Sequence, residues 1–378
     1  MATYIDSHQI PSTQLLLSSG NGPVSRTVLQ CPPRDAEPSE IPVIDVSGLA
    51  SSSLADRKLV AQKIHEAATN TGFFYISHHG IPESVINAAR KACLDFFQQP
   101  VEVKQRANIN KSSCFNGYKP PASQRINPFE AIDKREGFSV MYDPRYDPSV
   151  HDITAIPKEI AAQLHSEDFH WEATSNLPDF KRAIIDYWRA CLGLARALIR
   201  CFALSLELDE DFFDSKVSHP DAVMALNYYP PLEAVDNLEL SAIQSAAQEV
   251  SIGSHTDFQL FTILWQDESG GLQVLNREGQ WINAKPLEGT FVINIADYMQ
   301  RITNDRYVST VHRAKNTSGR ERISMPFFVG FNWNESCDVL DSCVAPGETK
   351  KYDEISCADW VKRRARATYQ TEGIKEAS

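Results

Sequence analysis

Between residues 222 and 333 the chain breaks into eight short β-type runs: "AVMALNYYP" (222–230), "EVSIGSH" (249–255), "LFTILWQ" (260–266), "GLQVLN" (271–276), "QWINAK" (280–285), "TFVINIA" (290–296), "YVSTVHRAK" (307–315) and "RISMPFFVGFNW" (322–333). Gly, Asn, Asp or Pro turns separate them. Strands this short and this closely spaced predict a sandwich or a closed double sheet. Upstream the periodicity is helical. "SLADRKLVAQKIHEAATNTG" (53–72) ends on a C-capping glycine, and "PESVINAARKACLDFFQQP" (82–100) is bracketed by prolines. "LPDFKRAIIDYWRACLGLARALIRCFALSL" (177–206) is apolar around much of its circumference, which predicts a helix pressed against the core.

Short strands at 43–46 and 73–78 need a sheet to join, so one fused domain is expected rather than two. The reading is an α+β chain with a mainly β core. Residues 1–38, without periodicity, read as a loose N-terminal arm. Residues 39–350 read as a single domain, with a helical part at 39–215 and a β core at about 220–335. Residues 351–378 read as a C-terminal helix, "YDEISCADWVKRRARATYQ", whose basic run is one face in water, and a tail.

Net charge is −12, which disfavours nucleic acid or an anionic membrane as partner but leaves room for a local basic pocket. The eight cysteines are scattered without a CxxC pair and read as reduced thiols. The "LLL" at 15–17 has no basic flank, and no run approaches the roughly 18 apolar residues of a membrane span. A cytoplasmic protein with no obligate protein partner is expected.

His255 and Asp257, in "SIGSHTDFQL", stand two residues apart, so on a strand both side chains share one face. A carboxylate buried there needs an ionic partner or a metal. His312, within a β-run, is the best-placed third ligand. Two imidazoles and one carboxylate on one face of an octahedron mark non-haem Fe(II) oxygenases, although zinc accepts the same set. His78 and His79 are a rival pair, but as strand neighbours they face opposite ways. Further on, Arg322 and Ser324 again stand two apart, and Asn227 and Tyr229 share a strand face. All four suit a small anion.

The order of these pieces resembles the plant-type and fungal iron(II)/2-oxoglutarate dioxygenases, the isopenicillin N synthase-like family. The matching segments are "IPVIDVSGL", "GFFYISHHGIP", "NGYKPP", "REGFSV", "NYYPP", "HTDFQLFTILWQDESGGLQV", "FVINIADYMQRITNDRYVSTVHRA" and "RISMPFF", running from about residue 41 to 333. The resemblance implies a distorted double-stranded β-helix, or jelly roll, flanked by helices. It also implies Fe(II) on His255, Asp257 and His312, and 2-oxoglutarate held by Arg322 and Ser324 with Asn227 and Tyr229 beside it. Dioxygen is the remaining reactant, and the iron centre itself is the catalyst, with no separate acid or base.

The expected activity is oxidation of a small molecule by hydroxylation, desaturation or ring closure, releasing succinate and CO2, in specialised metabolism. Two alternatives stand beside it: an oxidase of the isopenicillin N synthase type that uses no 2-oxoglutarate, and a non-catalytic binding protein on the same scaffold. Substrate contacts in the family come from variable loops and from the strand after the Arg-x-Ser pair, which makes Phe115, Tyr118, Arg125, Phe331 and Trp333 the candidates. Phe258 departs from the small residue that many plant relatives carry after the aspartate, and with Phe261 it is read as packing.

Overall fold

The computed structural model describes residues 10–164, 166–231 and 250–369. Two sheets face each other. The larger is assembled from β4 (Val43–Asp45), β5 (Phe73–Ser77), β6 (Gly117–Lys119), β7 (Glu136–Val140), β8 (Ala222–Tyr229), β10 (Phe261–Gln266), β13 (Thr290–Ile295) and β15 (Arg322–Val329). Its spatial order is β4-β5-β13-β10-β15-β8-β7-β6. The smaller has the order β3-β12-β11-β14-β9, from β3 (Arg34–Asp35), β9 (Ile252–His255), β11 (Leu272–Leu275), β12 (Trp281–Asn283) and β14 (His312–Ala314). The chain folds as a double-stranded β-helix with helices on one side, as expected.

Strand alternation separates two environments. In β15, Ile323, Met325, Phe327 and Val329 join one apolar core with helices α1 (Leu54–Asn70), α2 (Glu83–Phe97) and α3 (Phe180–Ser205). The long α3 lies on the large sheet, with Trp188 against Phe327 and Phe202 against Phe261. The opposite parity, Arg322, Ser324, Pro326 and Phe328, looks into the space between the sheets. One end of that space is apolar, filled by Phe73, Tyr75, Leu264, Val274, Ile282 and Val292. Its other end is polar, and the candidate site lies there.

The expected loose arm is corrected by the structure. Strands β1 (Ser12–Leu17) and β2 (Val24–Leu29) form an antiparallel hairpin around "SSGNGP", in which Gly22 takes a positive φ that suits glycine. Leu17 docks with Leu275, Trp281 and Val311, and the Leu29 N–H donates to the Gly279 carbonyl at 2.8 Å. The register runs from Ser12 opposite Leu29 to Leu17 opposite Val24, and β3 joins the edge of the small sheet beside β12. The segment 10–38 is therefore part of the core domain.

The C-terminal helix α4 (Cys357–Tyr369) also departs from expectation. Arg364 is 1% exposed, ion-pairs Asp297 at 2.8 Å and donates to the carbonyls of Ser18 and Thr256. The Trp360 Nε1–H donates to the Phe258 carbonyl at 2.7 Å. This helix thus clamps the turn that follows His255. The expected strand and helix ends at 249 and 370 lie outside the described residues.

Candidate metal centre and anion pocket

The register of the small sheet sets the first two groups side by side, because His255 on β9 pairs directly with His312 on β14. Their ring centroids are 4.3 Å apart. His255 Nδ1 lies 2.7 Å from the Gly253 carbonyl and His312 Nδ1 lies 3.1 Å from the Thr310 carbonyl. Hydrogen bonding there places the proton on Nδ1 and leaves Nε2 bare as a lone-pair donor. Asp257 Oδ1 stands 3.6 Å from His255 Nε2 and 3.7 Å from His312 Nε2. Its Oδ2 accepts from Thr262 Oγ1 at 2.5 Å and Asn294 Nδ2 at 2.8 Å.

Burial would raise the Asp257 carboxyl, but the two imidazoles and the Thr262 hydroxyl outweigh it and hold it below the usual carboxylate range. Burial, helped by the neighbouring His255, pushes His312 down to about 4. A neutral imidazole and an ionised carboxylate are the states that bind metal. Among the described residues these three form the one group of His, Cys, Asp or Glu side chains close enough together to share an ion, with ligand atoms within 4.8 Å of one another.

An anion pocket lies along the facing strands. Arg322 is 1% exposed; its Nε donates to the Gly270 carbonyl and its Nη2 to Gln266 Oε1 at 3.3 Å. Its Nη1 is buried with no hydrogen-bond partner. Tyr229 lies beneath the guanidinium at 4.5 Å, and its hydroxyl is 3.2 Å from Ser324 Oγ. Asn227 Nδ2 is 3.5 Å from the same Oγ. A buried guanidinium with an unmet N–H beside two hydroxyls is a site prepared for a carboxylate. The residues present fit iron and 2-oxoglutarate on this evidence.

The candidate substrate residues fare differently. Tyr118 is fully buried on the helix-facing side, packed on Phe96 with its hydroxyl donating to Glu136 at 2.5 Å. Phe331 is 1% exposed and packs on Phe213 and Tyr298. The Trp333 carbonyl accepts from the Ala358 N–H at the start of α4, within a structural turn. Both follow the end of β15 at Val329, so strand parity no longer aims them inward. Phe115 is exposed on the turn before β6, and Arg125 is half-buried in a loop without a hydrogen bond or ion pair among the described residues.

Phe328, four residues after Ser324 at inward parity, stands opposite Thr262. Sequence reasoning did not single out Thr262 or Asn294, which hold Asp257 Oδ2. Phe258 lies under the Arg364 guanidinium and Phe261 is fully buried, so both pack as read. His78 pairs with Asp45, and His79 packs edge-on against Phe291, so neither joins the triad.

A double-stranded β-helix carrying a His-Asp-His centre beside an arginine anion pocket defines a non-haem Fe(II), 2-oxo-acid oxygenase. Residues 220–331 match the model of the 2OG-Fe(II) oxygenase superfamily, and residues 41–159 match that of the N-terminal region of non-haem dioxygenases in morphine synthesis. The chain belongs to this family. It is 58% identical to a 2-oxoglutarate-Fe(II) type oxidoreductase (ppzC) of Metarhizium majus, over 93% of each chain. It is 33% identical to one (hxnY) of Emericella nidulans, over 88% of this chain and 91% of that one. Among solved structures, a full-length Neurospora crassa protein in complex with alpha-KG shares the fold, with a TM-score of 0.71, 24% identity and coverage of 90% of this chain and 100% of that one. A putative 2OG-Fe(II) oxygenase family protein from Caulobacter crescentus is similar at a TM-score of 0.69 and 27% identity, with coverage of 87% and 99%. The enzyme is a 2-oxoglutarate-dependent dioxygenase that uses Fe(II) and O2 on a small molecule.

Proposed function

We propose that His255 Nε2, Asp257 Oδ1 and His312 Nε2 hold the iron, and that Arg322, Ser324 and Tyr229 hold the distal carboxylate of 2-oxoglutarate. The observation that carries this reading is the unmet Nη1 of a fully buried Arg322, in the same inter-sheet space as three converging metal donors. Iron with 2-oxoglutarate and O2 supplies the oxidising power to break a substrate C–H bond, with succinate and CO2 released. The protein's own residues do the positioning. Thr262 and Asn294 fix the Asp257 carboxylate, the Gly253 and Thr310 carbonyls fix the imidazoles, and Arg322 fixes the co-substrate's far end. The surrounding sheets exclude water.

The outcome is hydroxylation, desaturation or ring closure in specialised metabolism, a reading supported by the fungal relatives. A small-molecule substrate, rather than nucleic acid or a membrane surface, accords with the net charge of −12. No helix among the described residues is long and apolar enough to cross a membrane, and all eight cysteines are free thiols. Both support a cytoplasmic location. A 2-oxoglutarate-independent oxidase has no separate support here, and a pure binding protein has no use for three metal donors.

The test is anaerobic addition of Fe(II) and 2-oxoglutarate, which is expected to develop a metal-to-ligand charge-transfer band. His312→Ala is expected to abolish that band; a variant keeping it would remove the third ligand. Arg322→Ala is expected to weaken co-substrate binding by about 2–5 kcal/mol, the cost of emptying one side of a buried charge pair. An unchanged KM for 2-oxoglutarate would refute that role.

A further inference from the structure

One row of directly opposed residues crosses the large sheet: Lys119 on β6 faces Gly137 on β7, which faces Asn227 on β8, which faces Ser324 on β15. Directly opposed residues carry their side chains on the same face. Lys119 therefore shares the inter-sheet face with the co-substrate pocket. Gly137 puts no side chain in the middle of the row, and the Lys119 side chain lies across it. A Cβ placed there would lie 3.6 Å from both Cβ and Cδ of Lys119 and 3.8 Å from Asn227 Oδ1. The neighbouring row is also made of small residues, Ser139 facing Ala225. Three strand spacings of about 4.8 Å separate the Lys119 and Ser324 backbones, so an anion held against Ser324 lies beyond easy reach of Lys119.

The charges around Gly137 do not cancel. Lys119 makes no ion pair among the described residues. Its neighbour Glu136 points to the other face, where it takes Lys104 and the Tyr118 hydroxyl. Arg135 donates to Asn227 Oδ1 and to Gln124 Oε1. Its nearest acid, Asp133, stands 3.8 Å from Nε without a hydrogen bond, and both atoms are buried and unpartnered. Lys119 is half-buried, and the burial of its ammonium, with the adjacent Arg135 guanidinium, pushes it down to about 7. A partly buried ammonium without an ion pair is costly, and a bound anion would offset that cost.

We propose that the substrate is a carboxylic acid whose carboxylate sits against Lys119 and Arg135, on the inter-sheet face beside Gly137, while the rest of the molecule extends toward the metal centre. This rests on the iron and 2-oxoglutarate reading above. It assigns Lys119 as a specificity-determining residue.

The full-length protein, loaded anaerobically with Fe(II) and 2-oxoglutarate, is titrated with a panel of amino acids and small aliphatic and aromatic carboxylic acids. Each acid is paired with its primary amide. The readout is perturbation of the charge-transfer band. Acids are expected to perturb it where the matched amides do not. Lys119→Met is expected to weaken the response to the acid at least tenfold, with the dependence of the band on 2-oxoglutarate unchanged. Lys119→Arg is expected to keep the preference for acid over amide.

Equal response to acids and amides, no response to any acid, or an unchanged acid affinity in Lys119→Met would overturn the proposal. So would a loss of 2-oxoglutarate binding in Lys119→Met, which would assign the lysine to the co-substrate. A band that never forms sinks the iron and 2-oxoglutarate reading, whereas a band that forms and ignores acids sinks only this inference.

Discussion

Asp257 divides its two carboxylate oxygens between tasks. Oδ2 is fully engaged by Thr262 and Asn294, which leaves Oδ1 toward the two imidazoles. Partners of this kind orient a ligand, and their loss typically costs 10–100-fold in metal affinity. Asn294→Leu is therefore expected to lower Fe(II) affinity by about 10–100-fold in competition with a chelator, with far-UV circular dichroism unchanged. Wild-type affinity would show that Thr262 alone orients the carboxylate. His255 and Asp257 were legible in the sequence because a two-residue spacing fixes a shared strand face. Asn294 in "TFVINIA" and Thr262 in "LFTILWQ" left a readable mark as well. Each is a polar residue at inward parity between two apolar neighbours, and a buried polar group must find a partner. Lys119 was not legible in this way. A three-residue strand between irregular segments has no alternation long enough to phase, so nothing in it distinguishes the face of Lys119 from that of Tyr118.

At the scale of elements, the long runs were read well and the ends of the chain were not. Helices α1, α2 and α3 fall inside their expected segments, because each carries a periodic apolar stripe over several turns. Helix α4 hid its anchor among the charges of "VKRRARATY". Yet Cys357, Trp360, Arg364 and Thr368 are its buried positions, and their spacing of three, four and four traces one helical face. An arginine on that face signals a buried ion pair rather than a solvated one.

A second buried pair ties the segment after β7 to α3. Asp147 accepts from both Nη atoms of Arg196, from the Tyr142 hydroxyl and from the Ser149 N–H. Burial would raise this carboxyl, but Arg196 and the other donors hold it at about 2. A carboxyl depressed in the folded state stabilises the fold above its unfolded value near 4, and that contribution is lost as pH falls toward 2. About 2 kcal/mol of pH-dependent stability is expected from this group. Asp147→Asn should therefore be clearly less stable than wild type to urea at pH 7, with the gap narrowing between pH 4 and pH 2. A gap constant across that range would mean that packing, not charge, sets the cost.

For the whole molecule, the two faces of the large sheet answer different demands. The helix side is an apolar core continuous across α1, α2 and α3. The inter-sheet side keeps Arg322, Asp257, His312 and Asn227 nearly fully buried. Such polar groups weaken a core unless they are satisfied, so folding alone leaves this side incompletely matched, as the unmet Arg322 Nη1 records. Ligands that complete it bind the native state and not the unfolded chain, so they stabilise the fold by mass action. At a hundredfold excess over Kd, each independent ligand is worth about 2.7 kcal/mol. Under anaerobic conditions Fe(II) is expected to raise Tm, and 2-oxoglutarate to raise it further only when iron is present, as it would if the proposed His255, Asp257 and His312 centre and Arg322 together held the co-substrate. A chelator should return Tm to that of the metal-free chain. In Arg322→Ala the increment from iron should survive while that from 2-oxoglutarate shrinks. Equal stabilisation by 2-oxoglutarate with and without iron would separate the two pockets and overturn the picture of one joined site.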